Sequence, residues 1–362
     1  MEAWTRDAAL ALTAVSTALA LAACGQGGQS PSGGGNAPEI GLLLPDATTA
    51  RWETQDRPLL EKKIRELCHE CTVEHANAKG DVAVQQEQMD SLITKRVSAI
   101  VLVAVDARSL GTAVRKADNA HIPVIAYDRL AEGPISGYVS FDGQEVGRLQ
   151  GTALLQAMGT RGHTPQIVMM NGDPSDPNAV AFKQGALSVL SGKVRIGESY
   201  DTLQWRAETA NTNMSGAISA LGVDHIDGVY AANDGLAAGS IAALKANKVH
   251  PLPPVTGQDA ELAAVRRIIA GDQYMTVYKS FKPEASAGGA MAVAAARGQS
   301  LARFATGKVT PRDGRTVPAV LLTPVSVTAA NVEDTLVKEG VYTTRQICTP
   351  QLGDACRKAG LT

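Results

Sequence analysis

The sequence is poor in aromatic residues. Of its 362 residues, 44% are hydrophobic but only 4% are aromatic, namely seven Tyr, four Phe and three Trp. A core of this size must therefore be built mainly from aliphatic side chains. The hydrophobic fraction and the length exclude a disordered or collagen-like chain, and at roughly 150 residues per domain they predict about two domains.

An excess of charge of one sign is also missing. The chain has 34 basic and 36 acidic residues, which give a formal net charge of -2. A protein that binds nucleic acid or an anionic membrane by general electrostatic attraction needs a positive excess. We therefore expect no nucleic acid among the partners, and we expect any ligand to be recognised by local geometry.

The motifs of common enzyme classes do not occur in the sequence. It has no Gly-x-Ser-x-Gly nucleophile elbow, no Gly-x-x-x-x-Gly-Lys-Ser/Thr phosphate loop and no His-Glu-x-x-His zinc pair. The six His residues are scattered along the chain. We therefore expect a protein without catalytic residues, without a cofactor and without a metal site.

The N-terminus carries a short apolar run. Residues 8–23 consist almost entirely of Ala, Leu, Val, Thr and Ser, a length too short to span a bilayer comfortably, and a polar stretch follows. This pattern predicts a signal peptide over residues 1–23. The run ends in Leu21-Ala22-Ala23-Cys24-Gly25, which resembles the lipobox of bacterial lipoproteins, so Cys24 is the predicted lipidation site. An ordinary signal peptide with an incidental Cys is the alternative.

A flexible segment follows the predicted cleavage site. Residues 24–37 are rich in Gly and Ser and cannot form a packed core, so they predict a linker that tethers the body to a membrane surface. We therefore expect the protein on the outer face of the cytoplasmic membrane, or free in the periplasm. Since Trp4 lies in the signal segment, Trp52 and Trp205 are the two Trp residues of the body.

The other four cysteines form two pairs that are close in sequence. Outside the cytoplasm, Cys68 with Cys71 and Cys348 with Cys356 can each close a local disulfide. For Cys68 and Cys71, a zinc half-site or a redox motif is the alternative. The chain offers no second Cys-x-x-Cys or His pair to complete a metal shell, so we predict a disulfide in both cases.

The body alternates short apolar runs with amphipathic segments, which is typical of βαβ units and a parallel sheet. The predicted strands cover residues 40–44, 73–75, 99–103, 124–127, 166–170, 194–199, 228–231 and 255–257. The predicted helices cover residues 57–67, 82–96, 107–120, 179–190, 207–221 and 235–246. The pattern occurs twice, so the sequence predicts an α/β protein with two doubly wound parallel-sheet domains.

Polar side chains follow most of the predicted strands. In sheets of this kind ligands bind beyond the carboxyl ends of the strands, where the loops converge. Helix capping is the alternative for an Asp or Asn at such a position. Arg and Lys cannot cap a helix N-terminus, and the polar positions follow separate strands, so capping does not account for all of them. They are, in chain order, Asp46, Arg51-Trp52, Asp128-Arg129, Asn171 to Asn178, Asn233-Asp234, Gln258-Asp259 and Tyr278-Lys279.

These residue types suit a sugar. A sugar presents several hydroxyls, and Asp accepts from two of them, Arg and Lys donate, and Asn does both. A flat aromatic ring covers the face of the sugar that carries C–H bonds. Core packing is the alternative for each Trp, but Trp52 and Trp205 lie outside apolar periodic stretches. We expect them to form two walls of a cleft, one from each domain.

Several segments together resemble one known family. The chain resembles the periplasmic sugar-binding proteins of ABC importers, which have the type I fold, over about residues 39–340, and within them it is most similar to the xylose-binding members. The matching segments are Arg51-Trp52, Tyr127-Asp128-Arg129, Ser140-Phe141-Asp142, Val146-Gly147, Asp176-Pro177-Asn178-Ala179, Asn233-Asp234, Gly257-Gln258-Asp259-Ala260, Met275-Thr276-Val277-Tyr278-Lys279 and Leu322-Thr323-Pro324.

The resemblance implies a set of sugar contacts. Trp52 is implied as a stacking wall. The residues implied to contact the sugar directly are Arg51, Asp128, Arg129, Asn178, Trp205, Asn233, Asp259 and Lys279. The sequence departs from the family pattern in the Asp-Pro-Asn turn and at Ser280, where a Pro is usual.

The resemblance also implies a division into two lobes joined by a hinge of three strands, crossed near Gln144, Lys279 and Leu322. The expected N-terminal lobe comprises residues 38–143 and 280–320, and the expected C-terminal lobe comprises residues 144–279 and 321–345. Residues 346–362 are expected to form an additional tail that carries a disulfide.

The function implied is that of a monomeric extracytoplasmic solute-binding lipoprotein. It captures a monosaccharide, xylose first and otherwise glucose, galactose or arabinose, and delivers it to an ABC permease. A sensor that presents the sugar to a membrane kinase or chemoreceptor is the alternative. A transcriptional regulator of the same fold would need an N-terminal helix-turn-helix with a basic face, and a signal segment and a linker occupy that place.

Overall fold

The computed structural model describes residues 37–312 and 315–361. The predicted signal peptide, Cys24 and nearly all of the predicted linker lie outside these residues. Within them, the strands are, in chain order, β1 (Glu39–Leu44), β2 (Thr72–Asn77), β3 (Ala99–Leu102), β4 (Val124–Tyr127), β5 (Gly137–Phe141), β6 (Gln166–Asn171), β7 (Arg195–Asp201), β8 (Gly228–Ala231), β9 (Met275–Tyr278), β10 (Gly307–Val309), β11 (Val317–Leu322) and β12 (Val325–Thr328).

Helices connect and cover these strands. In the described residues they are α1 (Arg57–Leu67), α2 (Val82–Lys95), α3 (Gly111–Asn119), α4 (Gly143–Met158), α5 (Pro177–Leu190), α6 (Ala207–Leu221), α7 (Asp234–Ala246), α8 (Leu262–Ala270), α9 (Phe281–Ala296), α10 (Thr344–Ile347) and α11 (Gly353–Lys358). No helix in these described ranges has the length and apolar composition needed to cross a bilayer.

The first sheet has the strand order β10-β11-β5-β4-β3-β1-β2. Its pairs are parallel except for β10 with β11. Alternate side chains of a strand face opposite sides of a sheet, and Leu42 and Leu44 pack into one apolar core whereas Leu43 packs into another. Both faces of this sheet are therefore covered, as the continuous apolar run of β1 predicts.

The second sheet contains β7, β6 and β8 in parallel order, and β9 pairs with β12 in an antiparallel ladder. The predicted strand at residues 255–257 is reduced to a single bridge of Val255 with Val229, and a second bridge, Gln258 with Val277, lies just after it. Pro253 and Pro254 precede it and have no amide hydrogen to donate to a ladder. Aliphatic and Met side chains fill the core of this half.

The chain passes between the two halves at three places. It leaves the first sheet after β5 and enters α4, returns after β9 into α9, and leaves again between β11 and β12. This arrangement, with two parallel α/β halves and three connections, is the predicted type I architecture. The residue limits predicted for the two lobes remain a proposal.

Several predicted boundaries agree with the structure, and the start of one predicted helix differs clearly. Strands at 124–127 and 228–231 and helices at 57–67 and 207–221 have the predicted limits. The helix predicted from residue 107 begins only at Gly111. Asp106 is the reason, because its side chain accepts the N–H groups of Arg108 and Ser109 at 2.9 and 2.8 Å and so forms a turn before the helix.

Both predicted disulfides are formed. Cys68 is bonded to Cys71 at the end of α1, and Cys348 is bonded to Cys356 between α10 and α11. The tail packs against the rest of the chain, since Ile347 and Cys356 belong to an apolar cluster that also contains Val265 of α8 and Phe281 of α9. The tail is thus an integrated part of the fold.

Candidate ligand-binding site

The polar ends of strands from both halves meet around a small cavity of about 20 Å³. All of the predicted contact residues except Arg51 line it. The lining residues are Thr49, Trp52, Asp128, Arg129, Asp176, Asn178, Phe182, Trp205, Asn233, Gln258, Asp259 and Lys279. The cavity therefore lies where the strand-end argument places a ligand.

Asp128 occupies the centre of the charged groups. It follows β4 directly, and its φ of +59° places it in the left-handed region, which is unusual for a residue with a side chain. The backbone is held there because the Asp128 N–H donates to the Val139 carbonyl at 2.8 Å, and the Ser140 hydroxyl donates to the Asp128 carbonyl at 2.7 Å. In this backbone conformation Asp128 lines the cavity.

The Asp128 carboxylate has partners from both halves of the chain. Lys279 Nζ lies 2.8 Å from Oδ2, Arg51 Nη1 lies 3.0 Å from Oδ2, and Asn178 Nδ2 lies 2.7 Å from Oδ1. Burial alone would raise the pKa of Asp128, but the charges of Lys279 and Arg51 outweigh burial and hold this pKa at about 2. The group is therefore a carboxylate at any physiological pH.

Arg129 joins the two halves through a second ion pair. Its Nε lies 2.8 Å from Oδ2 of Asp176, and its Nη1 donates to the Ala104 carbonyl at 3.0 Å. Asp176 also caps α5, since it accepts the Asn178 N–H at 2.9 Å. Burial raises the pKa of Asp176 to about 6, although the charge of Arg129 opposes the shift.

Arg51 lies behind the cavity wall instead of in it. Its Nε and Nη2 each donate to Asp56 at 2.7 Å, and Nη2 also donates to Glu284 at 2.6 Å. Its remaining nitrogen, Nη1, faces Asp128 at 3.0 Å and Asp259 at 3.7 Å. Arg51 is thus placed to orient two carboxylates that do line the cavity.

Trp52 and Trp205 are both core residues and cavity-wall residues. Each packs in the apolar core of one half and also lines the cavity. The indole Nε1 atoms of Trp52 and Trp205 are buried and have no hydrogen-bond partner among the described residues. The guanidinium carbons of Arg51 and Arg129 lie 4.6 and 5.6 Å from the Trp52 ring centroid, which fixes the ring by cation–π attraction.

Trp205 depends on a glycine for its position. It ends a short 3-10 turn, Leu203–Trp205, with a φ of +53°. A Cβ atom at Gly172 would lie 2.0 Å from Cη2 of the Trp205 ring. The indole therefore packs on the backbone at Gly172, and any larger residue there would displace it.

Asn233 and Asp259 complete the second half of the cavity. Asn233 also caps α7, because its Oδ1 accepts the Leu236 N–H at 2.9 Å. Asp259 has a φ of +98°, and its Oδ1 lies 3.7 Å from both Arg51 Nη1 and Lys279 Nζ. Burial raises the pKa of Asp259, and the two cations oppose the shift.

Asp234, which follows the same strand as Asn233, has a structural role. It does not line the cavity; its carboxylate accepts from Gln273 at 2.8 Å and from Thr276 at 2.9 Å. Burial raises its pKa to about 7, while Arg267 opposes the change.

Four lining residues were not among the predicted contacts, namely Thr49, Asp176, Phe182 and Gln258. Phe182 lies one helical turn after Asn178 on α5, so both share a face of that helix. The spacing of four residues from Asn178 therefore predicts from the sequence that Phe182 lies on the same side of the helix as a cavity residue. The Lys279 Nζ lies 5.8 Å from the Phe182 ring centroid.

The arrangement suits reversible binding of a small polyhydroxylated molecule. Fixed charged groups supply donors and acceptors, and two indoles supply flat faces. Among residues 37–312 and 315–361, no group of three or more His, Cys, Asp or Glu side chains is placed to hold a metal ion.

Known proteins are similar to this chain in sequence and in fold. Residues 40–300 match the family described as the periplasmic binding protein domain. A multiple sugar-binding periplasmic protein of Azospirillum brasilense is 33% identical over 339 residues, which cover 88% of this chain and 94% of the relative. A D-xylose-binding periplasmic protein of Escherichia coli strain K12 is 34% identical over 312 residues, which cover 84% and 91%.

A solved structure has the same fold. An ABC transporter solute-binding protein from Clostridium phytofermentans with bound β-D-glucose superposes with a TM-score of 0.79 at 30% identity, covering 86% of this chain and 100% of that one. The predicted family and fold are thereby confirmed. The chain belongs to the periplasmic binding protein family and has its type I fold.

Proposed function

We propose that the protein captures a monosaccharide between its two lobes and delivers it to an ABC permease. The observation that carries this proposal is the cavity itself, where Trp52 and Trp205 from opposite halves flank a set of paired charges. Among the relatives, the E. coli protein is named for D-xylose and the Clostridium protein holds β-D-glucose. D-Xylose is our first candidate, and glucose, galactose and arabinose are the others.

In this structure the charged groups around the cavity form ion pairs with one another. The cavity volume of about 20 Å³ has room for about one water molecule. We infer that a sugar enters when the lobes separate, and that its hydroxyls then replace part of the pairing among Asp128, Lys279 and Arg129. Closure on the sugar is a hinge movement that the ligand stabilises because it contacts both lobes.

Hydrogen bonds to charged side chains give such a site enough affinity for a monosaccharide. Each hydrogen bond to a charged group contributes about 1.5 to 3 kcal/mol. A handful of them, reduced by the costs of desolvation and ordering, reaches the roughly -8 kcal/mol of a micromolar complex. We propose that the site binds and releases its sugar unchanged, and that the protein acts as a monomer.

We also propose that the mature protein is held at the outer face of the cytoplasmic membrane by a lipid on Cys24. The lipobox-like sequence before Cys24 and the Gly/Ser-rich residues after it support this anchor. Metabolic labelling with a radioactive fatty acid tests it, with Cys24→Ser as the control. Label that persists in Cys24→Ser contradicts the assignment.

Sugar binding is tested by titration with D-xylose, L-arabinose, D-glucose and D-galactose. Tryptophan emission and calorimetry are recorded together, because the two Trp residues of the body both line the cavity. We expect a saturable change in emission and a micromolar Kd for at least one of the four sugars. Absence of heat and of an emission change with all four contradicts the proposal.

A further inference from the structure

A second, larger cavity of about 260 Å³ lies beside the first. Asp259 lines both cavities. Arg51, whose Nη1 lies 3.7 Å from the Asp259 carboxylate, forms part of the wall of the larger one. Asp259 is therefore a shared wall of the two cavities, which lie next to each other.

The second cavity is chemically different from the first. Its wall is mainly apolar and contains Ala50, Leu262, Ala263, Phe281 and Tyr342. In a chain with only four Phe and seven Tyr, one of each lines this cavity. Such a wall lowers the free energy of an apolar group by removing it from water and does little for a hydroxyl.

The Phe281 ring is held rigidly in this wall. It packs edge to face on Tyr278, with ring centroids 5.6 Å apart and an interplanar angle of 80°. The Arg51 guanidinium carbon lies 5.1 Å from the Phe281 centroid. Arg51 thus contacts the aromatic wall of the second cavity and the carboxylates of the first.

Tyr342 is positioned by the C-terminal tail. It packs against the apolar cluster that contains Ile347 and Cys356, and the next residue, Thr343, caps α10. Arg266 fixes this helix by donating from Nε to the Gln346 carbonyl at 3.0 Å. The tail therefore shapes one wall of the second cavity.

Glu261 is the other acidic group of this wall besides Asp259. Burial, with the charges of Asp234 and Asp259, raises the pKa of Glu261 to about 8. At neutral pH its carboxyl is therefore mostly uncharged, which leaves the cavity suited to an uncharged occupant.

We propose that the second cavity is a subsite for the apolar substituent of an alkyl or aryl glycoside whose sugar ring occupies the first cavity. This inference rests on the proposed sugar site. In this proposal the substituent passes beside Asp259, the residue that lines both cavities. The protein then captures glycosides as well as free aldoses.

The test compares free sugars with their aryl glycosides. D-Xylose, D-glucose and the α and β anomers of their 4-nitrophenyl glycosides are titrated calorimetrically into the protein and into Ala263→Trp. Ala263 is exposed and is the second residue of α8, so a Trp there fills the cavity without entering a core. Ala83→Trp is the matched control, since Ala83 is the exposed second residue of α2.

We expect at least one aryl glycoside to bind the unmodified protein as tightly as its free sugar or more tightly. Ala263→Trp should weaken that glycoside at least tenfold and the free sugar less than twofold, whereas Ala83→Trp should leave both within twofold. Ala50→Trp, which fills the same cavity from the other side, should repeat the Ala263→Trp result.

Two results overturn the subsite while leaving the sugar site intact. One is binding of free sugars with all aryl glycosides at least tenfold weaker. The other is an aryl glycoside whose affinity the two filling variants leave unchanged or reduce no more than that of the free sugar. If neither free sugars nor glycosides bind, the proposed function fails and the subsite fails with it.

Discussion

Arg51 contacts the Asp128 carboxylate at 3.0 Å from behind the wall of the first cavity, and does not itself line that cavity. The family resemblance implied a direct sugar contact for this residue. Asp56 and Glu284 hold three of its donor contacts, and we propose that Arg51 also positions the carboxylates that line the cavity. The orientation of the Asp128 carboxylate thus depends on a buried ion network.

Replacing Arg51 should destabilise the fold. In Arg51→Gln, the acidic side chains of Asp56, Asp128 and Glu284 lose their shared buried cation, so we expect the free energy of unfolding to fall by about 3 to 5 kcal/mol. Urea denaturation followed by circular dichroism measures this change.

Arg57→Gln is the control for Arg51→Gln. Arg57 pairs with Glu53 and Glu61, but its side chain is 40% exposed, so we expect a loss within about 1 kcal/mol. An equal loss in the two variants means that the network around Arg51 has no special role.

Asp259→Asn should weaken sugar binding and leave the fold stable. Hydrogen bonds to a charged acceptor contribute about 1.5 to 3 kcal/mol, so we expect the Kd for the preferred sugar to rise by about ten- to a hundredfold. Burial disfavours the ionised form of Asp259, and a neutral amide of the same shape therefore should not lower Tm.

The control for this variant is Asp272→Asn, on the same half of the chain. Asp272 makes a surface ion pair with Lys245 at 2.6 Å, and its replacement should not change the Kd. A Kd for Asp259→Asn within twofold of that of the unmodified protein contradicts the assignment of Asp259 to the site.

Much of the fold was readable from local sequence signals. The helix at 57–67 has the predicted limits because Pro58 occupies its first turn, and the helix at 207–221 ends where Gly222 follows with a positive φ. The position of the ligand cavity followed from the polar residues after the parallel strands.

Helix α4 was missed because its sequence is rich in Gly, which disfavours an isolated helix. The structure explains these glycines by tertiary packing. A Cβ at Gly147 would lie 2.0 Å from the Phe182 carbonyl oxygen of α5, so the two helices meet backbone to backbone. No local pattern reports such a contact.

The role of Arg51 was equally hidden from the sequence. Its partners Asp56, Asp128 and Glu284 lie 5, 77 and 233 positions away. A strand-end argument finds charged residues near a cavity. It does not tell which of them line the wall and which lie behind it.

Stability should fall as the pH rises from about 5 to above 8. Burial raises the pKa of Glu284 to about 8, with Arg51 opposing the shift and Asp128 and Asp56 adding to it. A carboxyl whose pKa is raised in the folded state stabilises the fold at pH below its unfolded pKa of about 4.3. That contribution is lost as the pH passes through about 8. Glu261 and Asp234, with pKa values raised by burial to about 8 and about 7, act in the same direction.

Asp128 sets the acid limit, because its pKa is lowered to about 2 in the folded state. Its stabilising contribution is present above its unfolded pKa of about 3.9 and is lost progressively as the pH falls from there through about 2. Urea midpoints measured from pH 3 to 9 should therefore peak near pH 5. Glu284→Gln should flatten the alkaline side of the profile, and Glu66→Gln, at an exposed position of α1, should leave it unchanged. A profile that rises steadily to pH 9 disagrees with this account.

Gly172→Ala should impair sugar binding without adding or removing any polar group. The new Cβ would lie 2.0 Å from Cη2 of Trp205, so the indole must leave its place on the cavity wall. We expect at least a tenfold rise in Kd and a red-shifted emission of Trp205, recorded in a Trp52→Phe background so that Trp205 is the reporting residue of the body. Gly162→Ala is the control, because a Cβ there meets no atom within 4 Å and needs no unusual backbone angle. Unchanged affinity in Gly172→Ala together with a shifted emission would show that Trp205 moves freely without serving the sugar, and Trp205 would then have to be removed from the proposed site.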